Sequence, residues 1–196
     1  MSHRHGPNPT HVPSASGAIT LRTVEDGEPS VKRFRMREQL PAFSNEFDVV
    51  TASGQRAYRI EPGIPHLGDT LVLKDTRGNE IFRIQDDFAR IGDMFSIHQR
   101  GEKIAVVKRA KIDRDESRYT VKLRGASDLS LQGNVLQHEY SIDRNGVLVA
   151  TVSRDWLQVH DAYGVEVAPG EDAVLILAVA ICINTMAQES PLRLRR

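Results

Sequence analysis

From Val31 onward, short runs of alternating apolar and polar residues are separated by polar turns. Four stretches built this way stack on one another: Phe47–Ile60, Leu71–Ile84, Phe95–Val107 and Tyr140–Val152. Each consists of a β-prone run, a turn carrying a glycine (Gly54, Gly78, Gly101, Gly146) and a second β-prone run. That is the period-two signature of an antiparallel hairpin. The Asn145-Gly146 pair favours a type I′ turn, whose two central residues both need positive φ. The connections repeat as well, since Gly68-Asp69 and Gly92-Asp93 each lead into an alternating run. Further strands are predicted at Phe34–Gln39, Ser117–Leu123 and Leu129–Leu131, for a total of roughly eleven or twelve, with a turn about every 8 to 12 residues. This cadence predicts an all-β barrel or sandwich.

One segment breaks the alternation. From Ala173 to Ile183 every residue is apolar, and Glu171 and Asp172 stand just before. Acids at that place complement the helix dipole, so the spacing predicts a helix with both acids in its first turn. The β-branched residues make a buried strand the competing reading; length and alanine content favour helix. Such a helix has no polar face and must be surrounded by protein, most simply by the interior of a barrel that the preceding strands build. Extended to Ala187 it is about 22 Å long, against roughly 30 Å of bilayer hydrocarbon, so no transmembrane span is expected. Residues 1–30, with His3, His5, His11, Pro7, Pro9, Pro13 and an acidic run, cannot bury enough apolar area to order themselves and read as a disordered leader.

Composition narrows the functions. With 26 Lys+Arg against 26 Asp+Glu the formal net charge is zero, which argues against nucleic acid as a partner. Cys182 is the only cysteine, so neither a disulfide framework nor a multi-Cys zinc site is available. This suits a cytoplasmic protein. The leader histidines lack a second ligand set, and no phosphate-cradling Gly-rich loop is present, so no metal or cofactor is expected. Ser153, His160 and Asp155 or Asp161 could in principle supply a nucleophile, base and orienting acid, but no strained serine elbow accompanies them. Cys182, inside the apolar segment, reads as a core residue, and Trp156 as a packing anchor. No catalytic residue is assigned, and the chain is expected not to be an enzyme.

The charge feature above background is Lys103–Arg124, with eight bases (Lys103, Lys108, Arg109, Lys111, Arg114, Arg118, Lys122, Arg124) against three acids (Asp113, Asp115, Glu116). Alternate residues share a face, so Lys108 with Arg118, Lys122 and Arg124 could line one surface that attracts anionic lipid. The candidate site is Lys108, Arg109, Lys111, Arg118, Lys122 and Arg124. The alternative is an edge hairpin whose cations block unwanted strand pairing.

Other residues carry a family resemblance. The runs Leu131-Gln132-Gly133-Asn134, His138-Glu139-Tyr140-Ser141-Ile142, Val149–Trp156, Asp161–Val167 and Gly170-Glu171-Asp172 before the apolar helix resemble the LURP-one-related family, as do Arg35-Met36-Arg37 and the Gly-Asp hairpins. The resemblance spans about residues 33–187. It implies the fold of the tubby C-terminal domain and the phospholipid scramblases, a closed antiparallel barrel of about twelve strands enclosing one hydrophobic C-terminal α-helix. The barrel then covers 31–188, with the helix near 171–187 and a basic tail over 189–196. The chain lacks the Cys-rich and calcium-associated segments of the scramblases, which argues against calcium-driven scrambling. The leading expectation is a non-enzymatic barrel associating with anionic phospholipid at the periphery of a membrane. The alternative is a structural module holding a protein partner by its sheet edges or leader.

Overall fold

A computed structural model describes residues 30–37, 47–63, 70–87, 94–111, 117–154 and 162–193. The expected leader lies outside them, as do Trp156 and the Gly-Asp turns. Twelve strands precede one helix: β1 (Lys32–Arg37), β2 (Phe47–Thr51), β3 (Arg56–Pro62), β4 (Thr70–Lys74), β5 (Glu80–Asp86), β6 (Met94–Gln99), β7 (Glu102–Lys111), β8 (Ser117–Leu123), β9 (Leu129–Asn134), β10 (Glu139–Arg144), β11 (Val147–Ser153), β12 (Ala162–Val167) and α1 (Ala173–Arg193). Each strand pairs antiparallel with its sequence neighbour, and β1 closes the barrel on β12 with Lys32 opposite Val167 and Arg37 opposite Ala162. The predicted hairpins form, and Asn145 and Gly146 both have positive φ, 53° and 79°, as a type I′ turn requires. β12 lies outside the runs that alternation picks out, because Gly164 interrupts its apolar residues.

Closure removes every sheet edge. The β7–β8 hairpin is therefore not an edge: β7 also pairs with β6, and β8 with β9. A partner strand would have to displace an existing neighbour in this barrel, which argues against that form of the interaction reading.

Up-and-down topology gives the barrel two unlike ends. Tight turns close one, where β12 hands over to α1. The connections 38–46, 64–69, 88–93, 112–116, 135–138 and 155–161 all join strands at the other, toward which α1 runs. The helix lies inside the wall, with every residue from Ile176 to Ile183 1% exposed or less. At about 1.5–3 kcal/mol per large apolar side chain removed from water, this burial is a large share of the driving force. Among the described residues no helix is long and apolar enough to cross a membrane.

The two acids are not in the first helical turn. Asp172 is the N-cap, its Oδ1 accepting from the backbone N–H of Val174 at 3.0 Å and of Leu175 at 3.1 Å. A carboxylate outside the helix reaches these orphan donors better than one inside it. Glu171 instead pairs with Arg144 at 2.6 Å. The helix also continues past the expected end at Ala187, to Arg193, so the residues read as a tail begin within it.

Where β9 meets β10 the backbones approach closely. Gly133 has φ 122°, and a Cβ there would sit 2.4 Å from the Glu139 carbonyl oxygen and 2.8 Å from Tyr140 Cα. Gly133→Ala should cost about 3 kcal/mol and lower Tm by roughly 10 °C. Gly146→Ala, where nothing lies within 4 Å, should cost only about 1 kcal/mol of positive-φ strain. Equal losses in thermal denaturation would show that the approach at Gly133 is not rigid.

Candidate functional site

Strand parity sorts the predicted basic residues. On β7, Ala105 and Val107 are buried, so Arg109, two positions on, turns inward while Lys108 faces out. On β8, Tyr119 and Val121 are buried and Arg118 and Lys122 are exposed. The register sets Lys108 opposite Thr120, Ala110 opposite Arg118 and Val106 opposite Lys122. The outer face therefore unites Lys108, Arg118 and Lys122, and Arg124 follows in the turn. Lys111 ends β7 opposite Ser117; its side chain lies outside the described structure, as do Asp113, Arg114, Asp115 and Glu116.

Acids from elsewhere in the fold cancel much of the charge. Lys122 pairs with Asp128, holding that carboxyl below the ordinary carboxylate range mainly by hydrogen bonding. Arg124 Nη1 meets Glu102 at 2.8 Å and Lys103 Nζ meets Asp87 at 3.3 Å. These exposed pairs contribute little stability, but they shorten the field the hairpin projects. Lys108 and Arg118 form no ion pair among the described residues. The outer face of the hairpin thus carries the expected bases, with Lys122 and Arg124 already paired to acids.

Arg109 is the correction. Its Nη1 donates to the Met186 carbonyl at 2.8 Å, and its guanidinium also hydrogen bonds Tyr119. The next carbonyl along the helix, Ala187, faces Pro191, which has no N–H to offer. Arg109 thus places donors and positive charge where the helix's ladder is interrupted. It is a structural residue facing away from any outer ligand.

Around it lies a buried aromatic cluster. Tyr140 and Tyr163 are enclosed, and their hydroxyls have no hydrogen-bond partner among the described atoms. Burial pushes both phenols up, Tyr140 further through neighbouring Tyr163 and Tyr119. His138, at φ 56°, stacks on Tyr163 with centroids 4.4 Å apart and planes 5° from parallel. Glu139 Oε1 clamps the adjoining strands, accepting from Ser153 Oγ at 3.1 Å and from the Arg154 backbone N–H at 2.9 Å. Ser153 therefore spends its hydroxyl on a carboxylate, while His160, Asp155 and Asp161 lie outside the described residues. Cys182 is fully buried and its thiol is pushed up, which suppresses thiolate.

A shallow groove of about 410 Å³ crosses the outer face of β3–β5, lined by Glu61, Val72, Lys74, Glu80 and Arg83 among others. Its cations are already paired, Lys74 with Glu61 and Arg83 with Glu80. Among the described residues no cluster of His, Cys, Asp and Glu could hold a metal ion.

A family model described as LURP-one-related matches residues 32–184. The Bacillus subtilis protein YxjI, described as uncharacterized, is 20% identical over 149 residues, covering 76% of this chain and 90% of YxjI. An X-ray structure of a protein from Arabidopsis thaliana superposes with a TM-score of 0.61 at 16% identity, covering 81% of this chain and 92% of that one. The latter shares the fold.

Two outcomes test the interior. Arg109→Met, which keeps apolar bulk but strips the donors from Met186 and Tyr119, should cost about 2 kcal/mol in urea unfolding; an unchanged midpoint would show that the helix needs no such anchor. Tyr140 and Tyr163 have folded pKa values above the unfolded one near 10. Their contribution is therefore complete below pH 10 and lost as pH rises through and beyond it. Absorbance at 295 nm should show both phenols ionising only with alkaline unfolding, and the Tyr140→Phe/Tyr163→Phe variant should lose stability less steeply above pH 10. Early titration of all four tyrosines would contradict the burial.

Proposed function

We propose that this chain, which belongs to the LURP-one-related family, is a non-catalytic barrel domain that associates peripherally with acidic lipid surfaces through Lys108 and Arg118. The observation that carries the reading is this pair of outward cations, left without an acid partner among the described residues on a hairpin whose other described outward cations are neutralised. Support for a binding role without catalysis comes from the nucleophiles, since Cys182 and the two enclosed phenols are held in their neutral forms.

Each cation near an anionic leaflet contributes about 1 kcal/mol, so two give weak, reversible and salt-sensitive attachment. A protein-interaction role is the second reading, favoured by the exposed Val147 and Leu148 at the turn end. Without a free edge, a partner would pack on side chains.

Co-sedimentation with phosphatidylserine vesicles at low salt should capture the protein, and physiological salt should weaken capture. Lys108→Glu/Arg118→Glu should abolish it, whereas Lys122→Gln/Asp128→Asn, which removes a pair that is already neutral, should change it little. Absence of binding to any acidic vesicle would sink the lipid reading and favour the protein partner.

A further inference from the structure

Lys108 and Arg118 are diagonal neighbours across β7 and β8, because Lys108 faces Thr120 and Arg118 faces Ala110. Such positions on one face lie about 7–8 Å apart at Cβ, within joint reach of two long side chains. Thr120 stands on the same face, directly across from Lys108 and two residues along from Arg118. Ser130, exposed on β9, is paired with Thr120 in turn. A closed sheet thus holds two like charges close together beside a hydroxyl, neither with an ion-pair partner among the described residues. Free of a ligand they repel; a compact anion between them relieves the repulsion.

Resting on the membrane reading above and narrowing its ligand, we propose that Lys108 and Arg118, with the Thr120 hydroxyl as a further donor, bind one phosphomonoester group on a lipid head. The neutralisation of Lys103, Lys122 and Arg124 removes the broad positive surface that would hold many singly charged head groups. What remains is a charge of plus two confined to one spot, which matches the charge of about −1.5 to −2 on a phosphomonoester at neutral pH. The Arg118 fork can engage two phosphate oxygens while Lys108 acts as a point charge. A phosphodiester carries one charge and two esterified oxygens, and leaves one cation unmatched. The β3–β5 groove does not compete for this ligand, since Lys74 and Arg83 already bind carboxylates.

The test compares the full chain on phosphatidylcholine vesicles doped with either phosphatidate or phosphatidylserine, matched in surface potential, at pH 7.4 and physiological salt. Affinity for phosphatidate should be about tenfold higher. Lys108→Gln/Arg118→Gln should reduce it to the phosphatidylserine level with an unchanged Tm. The preference should also shrink as pH falls through about 6, where the monoester takes up its second proton. Equal affinity for the two vesicles would overturn the monoester site and leave the membrane reading standing. No binding to either would defeat the membrane reading. In that event, calorimetric binding of glycerol 3-phosphate that the double variant lacks would keep the two-cation chemistry and overturn the lipid source.

Discussion

A helix that is apolar on every side is the constraint on which the rest of this molecule depends. From Ile176 to Ile183 no residue can face water without loss, and no single sheet could cover the whole circumference. Twelve strands joined edge to edge do so, and closure gives every strand a neighbour on both sides. The closed wall has two consequences for function. Binding by strand addition would have to displace an existing neighbour, and the interior is occupied by the chain's own helix, so it cannot serve as the ligand cavity that many barrels enclose. Recognition is left to outward side chains and to the two ends.

Those ends are not equivalent, and the helix makes them different. At the turn end, Asp172 satisfies the helix's first free N–H groups with a local carboxylate. At the opposite end the helix needs help from the wall: Arg109 reaches in from β7 to the Met186 carbonyl, one residue before the carbonyl that Pro191 leaves unserved. The His138–Tyr163 stack and the phenols of Tyr119 and Tyr140 gather around that anchor. This arrangement tolerates two hydroxyls without a partner among the described residues, at a cost of about 1–3 kcal/mol each. The expense is bearable because so much apolar surface is already buried along the helix.

Local pattern carried the fold further than it carried the site. The glycine turns, the alternation on either side of them and the apolar helix are short-range features, and each is legible in a dozen residues. β12 is not, because Gly164 interrupts it, and neither is the exact cap, because two neighbouring acids look alike until one is seen to accept two backbone N–H groups. The inward turn of Arg109 was available in principle: it shares parity with Ala105 and Val107, both apolar, whereas Lys108 does not. Asp86, Asp87 and Glu102 stand near enough in the sequence to be candidates for neutralising the hairpin; what no local pattern could supply is which base each one meets. Lys103 is met by Asp87, from the end of another strand, and Arg124 by Glu102, across a strand pair. The His138–Tyr163 stack likewise joins residues that only closure brings together.

Charge on a sheet therefore has to be counted after pairing. Eight bases against three acids over Lys103–Arg124 describe a strongly positive segment, yet parity sends one base inside and neighbouring strands neutralise three more. The neutral total charge of the chain makes such cancellation expected, because every base has an acid somewhere, and folding decides which acids come within reach. Lys108 and Arg118 stand apart because the residues recorded directly opposite them, Met94 and Thr120 for Lys108 and Ala110 for Arg118, carry no charge, and the next cation on that face, Lys122, is already paired with Asp128. Their isolation follows from the register: a shift of one residue between β7 and β8 would turn Arg118 and Lys122 toward the helix and expose Tyr119 and Val121, which the core cannot give up. The same apolar packing that closes the barrel around its helix thus fixes these two cations side by side on its outer wall.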